Sequence, residues 1–220
     1  METCVVARIW LPRGCDARDD ASALGALLVA ARVHALRAAR WLDRSRAAGG
    51  DGAAAECALR CASAARDALR AADSGRLRLG PDHVLRVDTD LVLFDALCAV
   101  APRPSASDER ARWQRAAGAG ERVAASFERL LPRGVWPQRA LHWYRVAKVQ
   151  RVCDAPRAAL RAAEAALPSF EQTHGALRGG DGAVRPATAS AGRALCELRE
   201  LRREAEGAAQ MAASRAALLE

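Results

Sequence analysis

Gly80-Pro81-Asp82 followed by His83-Val84-Leu85-Arg86-Val87-Asp88-Thr89-Asp90-Leu91-Val92-Leu93-Phe94-Asp95-Ala96-Leu97-Cys98-Ala99-Val100 is the stretch that decides the fold class. Val84, Val87, Leu91, Phe94 and Cys98 recur at intervals of three and four, the period of one helix face. Gly80-Pro81 forces a turn, and Asp82 is placed to cap the helix that follows. Pro102 and Pro104 then break it.

The same rhythm continues on both sides. Upstream, a helix is expected from about Ser22 to Arg46, with Leu24, Leu28, Ala31, Ala35 and Leu42 as its stripe, closed by Gly49-Gly50-Asp51-Gly52. A second covers about Ala53 to Ala72, with Ala58, Cys61, Ala65, Leu69 and Ala72 on one face. Downstream, Ser107 and Asp108 offer caps for a helix to about Leu131, whose inward side reads Trp113, Ala116, Val123, Phe127 and Leu130. Gly118 and Gly120 mark a break in its middle. A helix from Gln138 to Val152 follows. The next has Asp154 as its cap, Pro156 in its first turn and Leu160, Ala163, Leu167 and Phe170 inward; Pro168 should bend or shorten it. After a glycine-rich loop over 175–187, a last helical region runs from Thr188 to Leu219, with Leu195, Leu198, Leu201 and Ala205 buried. Trp113, Trp136 and Trp143 are expected between helices. Strand signals are nearly absent, apart from an unpaired candidate at Val5 to Trp10.

Helices in succession, joined by short turns, point to an all-α fold of antiparallel pairs, an α-solenoid of tetratricopeptide-like type. It occupies residues 21–220, with 1–20 unassigned. The 220 residues are 51% hydrophobic but only 4% aromatic, so small aliphatic side chains must build the core. Alanine is about a quarter of the chain, well above ordinary usage. The longest uninterrupted apolar run, Ala26 to Ala31, is far below a membrane span. Glu2, Arg8 and Asp16 are out of place in a signal peptide, so the expected location is cytoplasmic or nuclear.

Net charge is +8, and Lys148 is the only lysine. Arginine alternates with Asp and Glu, as in Glu197 to Arg203, which describes a solvated surface rather than a nucleic-acid patch. The seven cysteines include no C-x-x-C pair; Cys57 and Cys61 share a helix face but lack two further zinc ligands, and all are expected to be small buried residues. His34, His83, His142 and His174 assemble no catalytic set, and Gly179-Gly180-Asp181-Gly182 lacks the rest of a phosphate loop. No cofactor or metal site is expected.

One segment carries a family resemblance. Trp136-Pro137-Gln138 through Lys148-Val149-Gln150 to Thr173-His174-Gly175 resembles the C-terminal tetratricopeptide-like domain of the SET and MYND protein-lysine methyltransferases. The strongest match spans 136–175. Pro137 matches the family proline, and Lys148 and Gln150 match its Gly-Lys-Leu-Gln segment. Ala159 and Ala166 match its small positions, and Thr173, His174 and Gly175 its closing triplet. Trp136, Ala147 and Asp154 depart from the family's histidine, glycine and turn glycine.

The chain contains no asparagine, so the Asn-His-Ser-Cys-type segment of the family's SET domain is absent, as is the MYND zinc finger. The resemblance therefore implies a non-catalytic domain that packs against a SET catalytic domain and shapes access to protein substrates, with no methyltransferase activity of its own. The asparagine-based peptide clamp of tetratricopeptide domains is ruled out for the same reason. A stand-alone adaptor binding acidic peptides is the alternative, and a basic nucleic-acid-binding protein the third reading. His174 is expected to cap a helix C-terminus rather than catalyse.

Overall fold

The computed structural model describes residues 17–74, 79–102, 105–131, 136–174, 177–178, 184–185 and 189–217. The described residues form seven helices: α1 Ala17–Ala47, α2 Gly52–Ser74, α3 Val84–Ala99, α4 Ala106–Leu130, α5 Pro137–Val152, α6 Pro156–His174 and α7 Ala189–Ala217. The fold is all-α apart from one two-residue ladder. In it β1 (Leu177–Arg178) pairs antiparallel with β2 (Val184–Arg185), Leu177 opposite Arg185 and Arg178 opposite Val184. That ladder lies where only a loop was expected. The candidate strand at Val5 to Trp10 lies outside the described residues.

Contacts gather into two compact units, one ending at Glu109 and one beginning at Arg110. In the first, α1 and α2 meet along an alanine seam. Ala31, Ala38, Ala55, Ala58, Ala62 and Ala65 are fully buried. A methyl-sized side chain lets helix axes approach toward the ~8 Å end of the usual range. Each such contact removes little apolar surface, so Leu42, Leu59 and Leu69 contribute most of the burial. Leu24 clusters with Ala72, and Ala31 with Leu69 and Leu85. The α1–α2 stripes therefore fall where the sequence periodicity puts them, except that Leu28 and Cys61 are only half-buried.

α3 corrects its own pattern. Val84 is exposed and Leu91 and Cys98 are only half-buried, while Leu85, Val87, Leu93, Phe94, Ala96 and Leu97 form the core side with Thr89 and Asp90. The reason is that α3 packs on both α1 and α2, which widens and rotates its buried arc. Its cap also differs from expectation: His83, not Asp82, is the N-cap, its Nδ1 accepting from the Leu85 N–H at 3.3 Å. Burial, and then the Arg86 charge, lower the His83 pKa, which favours the neutral ring this bond needs.

In the second unit, α4 is continuous through Gly118 and Gly120, because burial of Ala116, Ala119, Gly120 and Val123 outweighs the helix penalty of glycine. Ser105 rather than Ser107 or Asp108 begins it: its carbonyl accepts from the Glu109 N–H at 3.0 Å, and its Oγ lies 3.5 Å from the Asp108 N–H. Leu130, expected inside, is exposed. α6 is not shortened at Pro168. The proline sits on the exposed face, while Leu167 and Phe170 beside it are buried and hold the last turn.

Two turns share one geometry. At the end of α1 the Gly49 N–H bonds Arg46 O and the Gly50 N–H bonds Ser45 O, with Gly49 at φ 69°. At the end of α5 the Asp154 N–H bonds Arg151 O and the Ala155 N–H bonds Gln150 O, with Asp154 at φ 55°. Both are Schellman motifs, which need a left-handed residue. Asp154 thus closes α5 instead of capping α6, and it does so where the resembled family has glycine.

α1 also holds a surprise. By length and composition alone, Ser22–Ala47 is apolar enough to cross a membrane, although arginines interrupt every long run. Leu24, Ala31, Ala35, Ala38 and Leu42 face the unit's core, while Val29, Val33 and Leu36 are exposed.

Candidate functional site

Among the residues that carry the resemblance, Lys148 and Gln150 tie α5 to neighbouring helices. Pro137 occupies the first turn of α5, where its missing N–H costs nothing. Ala159 and Ala166 are buried in α6. Gln150 is buried, and its Nε2 donates to Glu121 Oε1 on α4 at 2.6 Å. Lys148 Nζ donates to Glu197 Oε1 on α7 at 2.7 Å. α6 is described to His174; the side chains of Thr173 and His174, on which the expected capping role depends, and Gly175 as a whole lie outside the described residues.

Around Lys148 the structure brings together residues that sequence reading kept apart. The Tyr144 hydroxyl donates to the second oxygen of Glu197, and Lys148 Nζ lies 3.5 Å from that hydroxyl. The Tyr144 ring meets Phe170 of α6 edge-on at 5.7 Å. The hydrogen bond with Glu197 holds the Lys148 pKa above its ordinary value. The bonds from Lys148 and Tyr144 hold the Glu197 carboxyl below its ordinary value. Burial, then the bond with Glu197, raises the Tyr144 hydroxyl. All three shifts favour a protonated amine and phenol clasping an ionised carboxylate. Such a joint is stable at neutral pH and has no proton poised for transfer.

A second polar joint sits between α4 and α5. His142 is buried, and its Nε2 donates to the Gly120 carbonyl at 2.8 Å. The Phe127 ring meets it edge-on at 5.6 Å. Trp143 Nε1 donates to Glu128 at 3.0 Å. His142 was read as one of four scattered histidines; it is a core donor. Trp113, Trp136 and Trp143 are half-buried. The cysteines depart from expectation: Cys57, Cys61, Cys98 and Cys153 are half-buried and Cys196 is exposed. Cys4 and Cys15 lie outside the described residues. Among the described residues no cluster of His, Cys, Asp and Glu is arranged to hold a metal ion.

A recess among the described residues lies in the first unit. α1 and α3 flank a groove of about 200 Å³ lined by Arg32, Ala35, Leu36 and Ala39 on one side and Leu85, Asp88, Leu91 and Val92 on the other. Its lining is almost wholly apolar. Two ion pairs join its walls, Arg32–Asp88 at 3.6 Å and, farther along, Arg46–Asp95 at 3.0 Å. No signal in the sequence marked this groove, because it depends on how far α1 and α3 stand apart.

No family model matches the chain, and neither a curated protein nor a solved structure matches it.

Proposed function

We propose that this chain is a non-catalytic helical interaction domain, built as a tetratricopeptide-like solenoid of antiparallel pairs. The observation that carries the reading is the apolar α1–α3 groove, a recess without a titratable constellation in its floor. The residue pairing supports the architecture: Leu24 clusters with Ala72, and Ala31 with Leu69, so the α1–α2 contacts run in opposite chain senses. The ion pairs from Arg32 and Arg46 to Asp88 and Asp95 run in the same sense, as expected of like-placed helices in successive pairs.

In its specific form the domain is an accessory of a SET and MYND-type methyltransferase, shaping access to protein substrates. The resemblance over 136–175 supports this, and the roles of Lys148 and Gln150 agree with it, since both tie α5 to its neighbours. The purified chain is then expected to transfer no labelled methyl group from S-adenosylmethionine. It is also expected to associate, by analytical ultracentrifugation, with a SET–MYND catalytic fragment lacking its own helical domain. Methyl transfer by the chain alone sinks the non-catalytic reading, and failure to associate leaves the stand-alone adaptor. The adaptor reading is favoured by the exposure of Val29, Val33 and Leu36 beside the groove. Either form acts through protein partners and needs no cofactor.

A further inference from the structure

We propose that the α1–α3 groove receives an amphipathic helix of two to three turns from a partner protein, and that the edge of this helix facing Arg32 and Arg40 is acidic. The inference rests on the interaction-domain reading and adds the partner's chemistry.

The groove's shape selects a helix. Its walls run from Arg32 to Ala39 and from Leu85 to Val92. Each spans about 10 Å, two turns at the helical rise. Both walls are helix side chains, so no free strand edge is offered to an incoming backbone. An extended peptide would leave its own N–H and C=O groups without partners against an apolar floor. A helix brings those bonds with it and presents a stripe of apolar side chains, the usual way of filling such a groove.

Charge selects the face. Arg32, Leu36 and Arg40 stand at i, i+4 and i+8, one row along α1. The two cations are therefore about 12 Å apart with an apolar side chain between them. Arg40 is exposed and forms no ion pair among the described residues. Arg32 reaches Asp88 only at 3.6 Å, with both side chains about half exposed, a contact of little strength that a better-placed carboxylate displaces. Asp88 is the one acidic residue in the lining. A docked helix with two carboxylates about two turns apart, flanking an apolar anchor over Leu36, complements this row.

The same charges weigh against two other occupants. A second copy would bring the same basic row, on a chain of net charge +8, against itself. A lipid surface meets convex faces; it touches Val29 and Val33 but does not reach a floor set between two helices. Two turns of helix bury less than the ~1,200 Å² of a stable complex, so the contact is a weak and exchanging one.

The test uses the full 220-residue chain and a fluorescent synthetic helix of about 16 residues. The peptide carries leucines at helical spacing and two glutamates eight positions apart on one flank. Anisotropy should show saturable binding, weakened about ten-fold by Leu36→Glu and about ten-fold by Arg32→Glu with Arg40→Glu together. The double arginine variant should instead prefer the peptide with lysines in place of glutamates. Leu141→Glu, on an exposed position of α5 in the second unit, should leave binding unchanged. Circular dichroism identifies any variant that fails to fold, and the peptide charge swap needs no protein variant at all. Binding that survives Leu36→Glu overturns the groove while leaving the interaction-domain reading intact. Wild-type preference for the lysine peptide overturns the charge assignment. Binding to anionic vesicles, lost equally on Val29→Glu and Leu36→Glu and without peptide binding, overturns the proposal in favour of a membrane. Absence of any peptide binding overturns it too, whereas the broader reading falls only if the chain by itself transfers a methyl group.

Discussion

Two sets of three helices are tied alike and filled differently. In the unit ending at Glu109, Arg32–Asp88 and Arg46–Asp95 join α1 to α3. In the unit beginning at Arg110, Lys148–Glu197 and Arg151–Glu204 join α5 to α7. In the second set Tyr144 stands beside the tie, its hydroxyl on Glu197 and its ring on Phe170. In the first, Ala35, Leu36 and Ala39 leave a groove. The difference teaches that like ion pairs can join helices in both sets, while the bulk of the side chains between them decides whether a binding recess exists. Partly exposed ion pairs contribute about 1 kcal/mol at most, so the buried aromatic is the stronger element of the second set.

Tyr144→Ala should therefore have the largest effect. It removes a buried ring and opens in the second unit what the first already has, at a cost of about 3 kcal/mol in urea unfolding. A loss under about 1 kcal/mol would mean that the ring fills nothing. Next, Ala58→Leu in the fully buried α1–α2 seam should cost about 2 kcal/mol by overpacking, while Ala53→Leu, on the exposed face of α2, should cost almost nothing. Equal effects would contradict a close-packed alanine seam.

Tyr144→Phe should cost about 1 kcal/mol, the worth of one hydrogen bond to a charged group at a half-open site. Its pH dependence sharpens the comparison further. Glu197 has a depressed pKa when folded, so its contribution is present above the ordinary 4.5 and is lost as pH falls through the lower folded value. Tyr144 and Lys148 have raised values, so theirs are present below 10.0 and 10.5 and are lost as pH rises through the folded values. Lys148→Gln should thus differ most from the parent between these limits and converge with it at both ends. A constant difference across pH would show that the joint does not titrate with folding.

The smallest effects concern the two turns. Asp154→Gly should stabilise by about 0.5–1 kcal/mol, because glycine takes the left-handed region without a Cβ penalty. Gly49→Asp should destabilise by a similar amount, since both turns ask the same φ of that position. If Asp154→Gly destabilises instead, the aspartate side chain does more than close the turn.

How much was legible follows from the kind of signal each feature leaves. The stripes of α1, α2 and α7 were readable because each buries one face, and Ala31 with Ala35, Leu69 with Ala72, and Leu198 with Leu201 recur at the helical period. α3 was misread at Val84 because two neighbours bury more than one face, which blurs the periodicity. Pro168 and the Gly118–Gly120 pair were read as breaks by local propensity and overridden by packing on either side. Lys148 stood out as the only lysine, but nothing local pointed to Glu197, 49 positions away. His142 could have been suspected from its place among apolar neighbours in α5, though its acceptor, the Gly120 carbonyl, carries no side-chain signature at all.

The sequence by itself determined that the chain is helical, roughly where its helices lie and which of them carry an apolar stripe. Helical period, turn residues and the shortage of strand formers are local properties, and they act before any long-range contact forms. Tertiary structure alone decided which faces meet, that Tyr144, Lys148 and Glu197 form one joint, and that α1 and α3, though packed together, leave an apolar groove between them. Those outcomes depend on crossing angles and interaxial distances, which arise from the summed fit of many side chains on two or three helices at once. No residue type encodes that fit.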